Sequence, residues 1–347
     1  MTSPATQVPY HPGFTGVRVG ITAAGSYLPT QVMTSAELEE RISRASGLPL
    51  PIGMFGRSTG IATRRISRDD EYASTLAIGA ARAALAASRL DPLDIDLLVF
   101  ASATRDVVEP ATAHIVQAEL GSKAYALDVT NACNSFINGI DVARALILAG
   151  RAGRALVVTG ETPTRSMRWQ VTGLAQMRES FAGFTFGDAG AAVVVEPVPS
   201  GGILDVDNES HSEHWSIGGI FGGGSRHPRG DEYMYFHGDG HALRGVFEKI
   251  VVGILERVRY RTGIELTDYA RILVHQVTLP YLDRFVELTG VPRDKLVVTV
   301  TELGNVASAS LGVQLARVDA DLRPGDRILM VGLGGGVSLM TMVWEKA

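Results

Sequence analysis

The chain has 347 residues, 46% of them hydrophobic but only 7% aromatic, with 39 glycines and a single cysteine. Thirty-two Lys and Arg stand against 37 Asp and Glu, a net charge of −5 with the signs interspersed, so charge alone draws it to neither nucleic acid nor an anionic membrane. Such a composition excludes a disordered chain and a disulfide scaffold, no apolar run reaches the roughly 18 residues of a membrane span, and what remains is an α/β enzyme with a sizeable core acting on a small or carrier-bound substrate. A lone cysteine cannot close an internal disulfide, and the opening MTSPATQVPYHPGFTG has neither a basic nor an apolar leader region, so a cytoplasmic location is expected.

In chain order, short β-branched runs alternate with alanine-rich stretches of helical period. Strands are expected at 17–23, 95–101, 124–129, 155–160 and 189–196, and helices at 35–45, 72–87, 111–121 and 135–149. Glycine- and proline-rich stretches at 47–60, 162–183 and 201–240 interrupt this pattern. Irregular segments of that length usually bind something, so they are expected to cap a pocket.

The second half repeats the first. Lys123 precedes Cys133 by ten residues, as Lys295 precedes Asn305, and the runs GRALVVTG from Gly153 and GDRILMVG from Gly325 keep the same offset of 172. DLLVFAS from Asp96 and ARILVHQ from Ala270 match at an offset of 174. A duplicated, layered α/β architecture follows. Under this alignment Cys133 and Asn305 occupy equivalent strand ends and His275 ends a third strand, where ligands of open α/β sheets gather.

Each candidate has a bland reading beside its chemical one. Cys133 is either a small buried apolar residue or a nucleophile, its pKa of roughly 8.5 lowered by the helix that starts after it. His275 is a core histidine or an acid–base group, and Asn305 a helix cap or a hydrogen-bond donor to substrate. His211 and His214 in HSEH lie in a glycine-rich loop without a cysteine partner, so no metal site is expected. Gly332, Gly334, Gly335 and Gly336 form VGLGGGVS with no helix after it. That excludes a dinucleotide loop and leaves amides to face an oxyanion.

The pieces GSYLPTQVMTSAELEERI, STGIATRRI, DVTNACNSFINGIDVARALILAG, FTFGDAGAAVVVEP, LVHQVTLPYLDRFVELTGVP, LGNVASASLGVQL and GDRILMVGLGGGVS, spread over nearly the whole chain, resemble ketoacyl synthase III condensing enzymes of the thiolase superfamily. The resemblance implies a five-layered αβαβα fold of two similar halves, 1–198 carrying Cys133 and 199–347 carrying His275 and Asn305. It also implies a homodimer, acyl transfer through an acyl-cysteine, coenzyme A or acyl-carrier-protein thioesters as substrates, and no further cofactor. The catalytic triad maps to Cys133, His275 and Asn305, with the amides of Cys133 and Gly335 as the oxyanion hole.

SATRDVVEPATAHIV further resembles the olefin-pathway enzymes that condense two acyl thioesters head to head, in which a glutamate before a proline enters the partner's site and removes an α-proton. Glu109 matches that glutamate. The same resemblance leaves two other outcomes open: decarboxylation of a malonyl thioester, or transfer of the acyl group to a hydroxyl or amine. The adenine-clamping aromatic and arginine of the family are not evident in GMFGRSTG, where Arg57 is a neighbour. The long segment RSMRWQVTGLAQMRESFAG offers Arg165, Arg168, Trp169 and Arg178 as substrate or carrier contacts.

Overall fold

The computed structural model describes residues 16–347; residues 1–15, on which the leader expectation rests, lie outside them. β1 (Arg18–Tyr27) is followed by β2 (Gln31–Thr34) and α1 (Ser35–Ser46). The run T-S-A-E sets the start of α1: Thr34 Oγ1 accepts from the Glu37 amide at 3.1 Å while Glu37 Oε2 accepts from the Thr34 amide at 2.7 Å, a reciprocal cap worth about 1 kcal/mol. Then come α2 (Met54–Thr59), β3 (Thr63–Ile66), α3 (Ala73–Ser88), β4 (Leu97–Ala101) and α4 (Thr112–Leu120). β5 (Tyr125–Val129), α5 (Ser135–Leu148), β6 (Ala155–Glu161), α6 (Leu174–Ser180) and β7 (Ala189–Val198) complete the first half.

The first sheet has the order β1-β7-β6-β4-β5. β1 and β6 run antiparallel to β7, and β4 runs parallel to both β6 and β5. Alternation along β4 sends Leu97, Val99 and Ala101 to one face and Leu98 and Phe100 to the other. Both faces are apolar because both are covered. α3 packs so close that a Cβ on Gly160 would lie 1.8 Å from the Ala73 carbonyl oxygen, and one on Gly190 2.2 Å from that of Leu76. Such an approach requires glycine on the sheet and alanine on the helix, which accounts for the low aromatic share.

β8 (Gly202–Ser210) opens the second sheet and is followed by the two-residue strands β9 (Gly218–Gly219) and β10 (His237–Gly238). α7 (Gly240–Thr262), β11 (Arg271–Val274), α8 (Leu279–Thr289), α9 (Val300–Leu303), α10 (Ala309–Val318), β12 (Arg327–Gly334) and β13 (Ser338–Glu345) follow. The order β11-β12-β13-β8 reproduces β4-β6-β7-β1 with the same strand senses. A parallel bridge between Ile272 and Leu296 stands where β5 would be. The duplication read from the sequence is therefore a duplication of topology.

Three apolar clusters define five layers. α3 and α4 pack on the outer face of the first sheet, α7 and α8 on the outer face of the second. Between the sheets lie α5 and α10, contributing Phe136, Ile137, Ile140, Leu311, Val313 and Leu315 to the central core. At about 1.5–3 kcal/mol per buried side chain, this layer is a main source of cohesion between the halves.

One expectation fails in the stretch 201–240, which contains β8 rather than only irregular chain. Its sequence GILDVDNES looks solvent-facing because Asp205, Asp207 and Glu209 share one face. That face meets α7 instead, where Arg261 grips Asp205 through two bonds of 2.8 and 2.7 Å, and Arg257 reaches Asp207 at 2.8 Å and Glu209 at 2.7 Å. Ion pairing across an interface mimics the polarity of a surface.

Candidate active site

Cys133 lies in the turn between β5 and α5. Ala132 takes a left-handed φ of 46°, and the turn closes with the Asn134 amide on the Asn131 carbonyl at 2.9 Å and the Ser135 amide on the Ala132 carbonyl at 3.1 Å. Asn134 is fully buried, and its Nδ2 donates to both Ser338 O and Ser338 Oγ at 2.9 Å. That fastens the cysteine turn to the β12–β13 hairpin, whose loop carries Gly335. The amides of Gly335 and of Cys133 itself favour the charged form of the sulfur.

The expectation of a lowered thiol pKa is corrected. Burial, followed by the charge of Glu161, pushes Cys133 up to about 12, and the two amides pull less strongly the other way. A helix start favours a thiolate only where water still solvates the site, and here desolvation dominates. The resting sulfur is a thiol.

His275 directly follows β11 and is 3% exposed, its amide bonded to Val331 O at 2.9 Å. Burial lowers its pKa to about 4, against a hydrogen bond with the Ala307 backbone. The imidazole is neutral near pH 7, and its Nδ1 is buried without a partner among the described residues. Asn305 is also buried; its Oδ1 accepts from the Ala307 amide at 3.0 Å. With its acceptor used by the turn, the carboxamide is left to donate.

Ala307 thus holds both His275 and Asn305, while the next residue, Ser308, hydrogen-bonds Glu161, whose charge acts on Cys133. His275 and Asn305 are tied to one turn, and the Ser308 of that turn to Glu161, whose charge reaches a half-buried Cys133.

The turn before α10 corrects the 172-residue alignment. Ala307 has the same φ of 46° as Ala132, and the amides of Ala309 and Ser310 bond Val306 O at 3.1 Å and Ala307 O at 3.3 Å, repeating the cysteine turn. The offset there is 175, so the counterpart of Cys133 is Ser308 rather than Asn305. By the 174-residue offset of β4 and β11, His275 stands where Ala101 ends β4 and Gln276 where Ser102 follows it, and Glu161 closes β6 where Gly334 closes β12. Neither Glu161 nor Ser308 stands out in the sequence; a repeat aligned on helix starts exposes Ser308.

Arg64, from the STGIATRRI stretch, is fully buried and donates to the carbonyls of Phe184 and Phe186 and to Ser35 Oγ. Phe186 bridges Asn305, so this arginine braces the carboxamide from behind. Burial lowers its pKa to about 10, which leaves it charged.

Glu109 is exposed and stands outside the network within one chain. Arg57 is exposed, donating to Ile52 O at 2.7 Å, and Arg178 is exposed on α6. Arg165 is occupied by the carbonyls of Arg68, Asp69 and Glu71 at 3.2, 3.3 and 2.9 Å. Trp169 carries the Arg41 guanidinium 3.6 Å above its ring, and Arg168 lies 4.4 Å over Tyr235. The 162–183 segment is therefore pinned by cation–π contacts over an apolar cluster of Phe55, Met167, Met177, Phe184 and Phe186. Among the described residues no cluster of His, Cys, Asp and Glu could hold a metal ion, and no helix is long and apolar enough to cross a membrane.

Two family models match the chain: 3-oxoacyl-[acyl-carrier-protein] synthase III over residues 127–212, and the C-terminal region of the same synthase over 260–346. The beta-ketoacyl-[acyl-carrier-protein] synthase III of Clostridium perfringens is 32% identical over 90% of this chain and 95% of its own length. That of Dinoroseobacter shibae is 32% identical over 94% and 99%. Among solved structures, a cysteine-to-serine variant of Xanthomonas campestris OleA with bound lauric acid and lauroyl-CoA superposes with a TM-score of 0.84 at 27% identity, covering 94% of this chain and 99% of that one. The 3-oxoacyl-[acyl-carrier-protein] synthase III of Aquifex aeolicus gives 0.81 at 26% identity over 95% and 100%.

Proposed function

This chain belongs to the 3-oxoacyl-[acyl-carrier-protein] synthase III family of thiolase-fold condensing enzymes, and on that premise we propose that it joins two acyl thioesters head to head through an acyl-Cys133 intermediate. What supports this reading is that His275 and Asn305 share the Ala307 backbone as partner, that Ser308 beside it bonds Glu161, and that the charge of Glu161 and the amides of Cys133 and Gly335 act on the Cys133 sulfur.

In the first stage the Cys133 sulfur attacks a thioester carbonyl and its proton passes to His275. The amides of Cys133 and Gly335 hold the oxyanion; the bond to the leaving thiol breaks, and that thiol takes the proton back. In the second stage the carbonyl of another thioester accepts hydrogen bonds from His275 and Asn305. An imidazole with a pKa near 4 is a neutral donor, suited to an enolate because it need not give up its proton. Glu109 of a second copy removes the α-proton, the carbanion attacks the acyl-cysteine carbon, the carbon–sulfur bond breaks to release the Cys133 thiolate, and that thiolate takes up the proton from Glu109 to return the thiol. A β-ketoacyl thioester and one free thiol result. The thioesters, carried on coenzyme A or acyl carrier protein, supply all the chemistry without a further cofactor.

Placing Glu109 in a partner's site is supported by the free edge of the first sheet. Tyr125 on β5 is 64% exposed, and Val107 and Val108, beside Glu109, are 42% and 67% exposed, an apolar edge suited to a second copy in a homodimer. The division into halves after residue 198, the pocket contacts of Arg57, Arg165, Arg168, Trp169 and Arg178, and action in the cytoplasm are part of the same proposal. A decarboxylative reaction on a malonyl thioester is the second reading, favoured by the 32% identity to curated synthases III.

Intact mass after incubation with an acyl-CoA tests the first stage: an adduct is expected on the wild type and none on Cys133→Ala, whose condensation should fall roughly 10³-fold or more. Glu109→Ala separates the two readings. Condensation of two simple acyl-CoA molecules should drop about 10²-fold or more with the adduct retained; a variant as fast as wild type, or a wild type active only with malonyl thioesters, would favour decarboxylation.

A further inference from the structure

Glu161 is a fully buried carboxylate that neither stage uses. Its Oε1 accepts from the Ala103 amide at 2.7 Å and from the Ser308 hydroxyl; its Oε2 accepts from the Thr104 amide at 3.0 Å and Thr104 Oγ1 at 2.8 Å. Two backbone amides and two hydroxyls surround the carboxyl group, whose pKa burial raises against the pull of these donors. Ser308 also meets Thr159 Oγ1 at 2.7 Å, and Thr159 meets Ser102 Oγ at 2.9 Å. A line of buried hydroxyls thus joins the ends of β4 and β6 to the turn before α10.

The two ends of this clamp are functional segments. Ala103 and Thr104 begin the loop that carries Glu109, and Ser308 follows Ala307, which holds His275 and Asn305. A buried carboxyl group among amides and hydroxyls, without an ion pair among the described residues, is a costly choice for mere packing.

We propose that Glu161 is a positioning residue for the condensation: its carboxyl group fastens the loop that carries Glu109 in one half to the turn that carries Asn305 in the other. The proposal rests on the roles assigned to Glu109 and Asn305 above.

Two full-length variants test this. Glu161→Gln keeps the side-chain length but replaces one acceptor oxygen with a donor; Ser308→Ala removes the hydroxyl arm of the clamp. Both should lose kcat for condensation roughly tenfold with little change in KM, while intact mass shows acyl-adduct formation on Cys133 within about twofold of wild type. An unchanged kcat in Ser308→Ala, or adduct formation that falls in step with condensation, overturns the positioning role. Should Glu161→Gln fail to fold, Ser308→Ala decides alone. A wild type that forms no acyl adduct would instead defeat the nucleophile assignment, a separate outcome.

Discussion

Two turns of one backbone design lie across the central layer, and only one of them holds a thiol. The cysteine turn and the turn before α10 share a left-handed alanine, the same two closing amide bonds and a helix that follows at once. Around Cys133 stand two amides and a hairpin loop that ends in glycine; around Ser308 stand Glu161, Thr159 and the Ala101 carbonyl. The difference teaches that an elbow alone makes no nucleophile. Where donors with no other partner face the side chain, negative charge can be received; where a carboxylate faces it, the turn becomes a fastener.

Asn305 is where the second turn serves the first, and beyond Cys133 and Glu109 themselves its removal is expected to have the largest effect. Asn305→Ala should lower condensation about 10²-fold, the usual loss for one donor to a developing oxyanion, while acyl-adduct formation on Cys133 changes only a few-fold. Comparable losses in both stages would show that the residue shapes the turn rather than receiving the enolate, and would weaken the division of labour between the two regions.

How much of this could be read beforehand differs residue by residue. The sole cysteine before a helix and a histidine ending an apolar strand were legible because strand ends and helix starts leave local patterns. The sign of the Cys133 pKa shift was not. It depends on burial and on Glu161, 28 residues further along the chain, and no local pattern reports either. β8 was hidden because Asp205, Asp207 and Glu209 meet arginines of α7 instead of water. The alignment slipped from 175 to 172 because it was anchored on lysines before strands, whereas insertions in the second half fall between the strand end and the helix.

The next effect compares His275 with Ser102, the residue that follows the matching strand β4. His275 falls from 6.5 to about 4 on folding, so between those values the folded chain binds fewer protons than the unfolded one. Its contribution is complete above pH 6.5 and is lost as pH falls through about 4, roughly 3 kcal/mol in all. Thermal melts from pH 7 to pH 4 should therefore show a shallower loss of Tm in His275→Asn than in wild type. Ser102→Ala, which removes no titrating group, should keep the wild-type slope. Parallel slopes in all three proteins would mean that the imidazole is solvated and the site wet.

The smallest expected effect is none at all, and it bears hardest on the comparison. Ser308→Cys in the Cys133→Ala background places a thiol on the second elbow, with the same left-handed alanine before it and the same kind of helix after it. Ser308 is 1% exposed whereas Cys133 keeps part of its surface open, and the Glu161 carboxylate bonds the Ser308 hydroxyl directly. Sulfur there would be sealed from solvent against a buried carboxyl group, away from the Gly335 amide that acts on Cys133, and burial would disfavour both its ionisation and an oxyanion. Intact mass after incubation with acyl-CoA should show no adduct. An adduct would mean that backbone geometry outweighs electrostatic surroundings, and the contrast between the two turns would then rest on access alone.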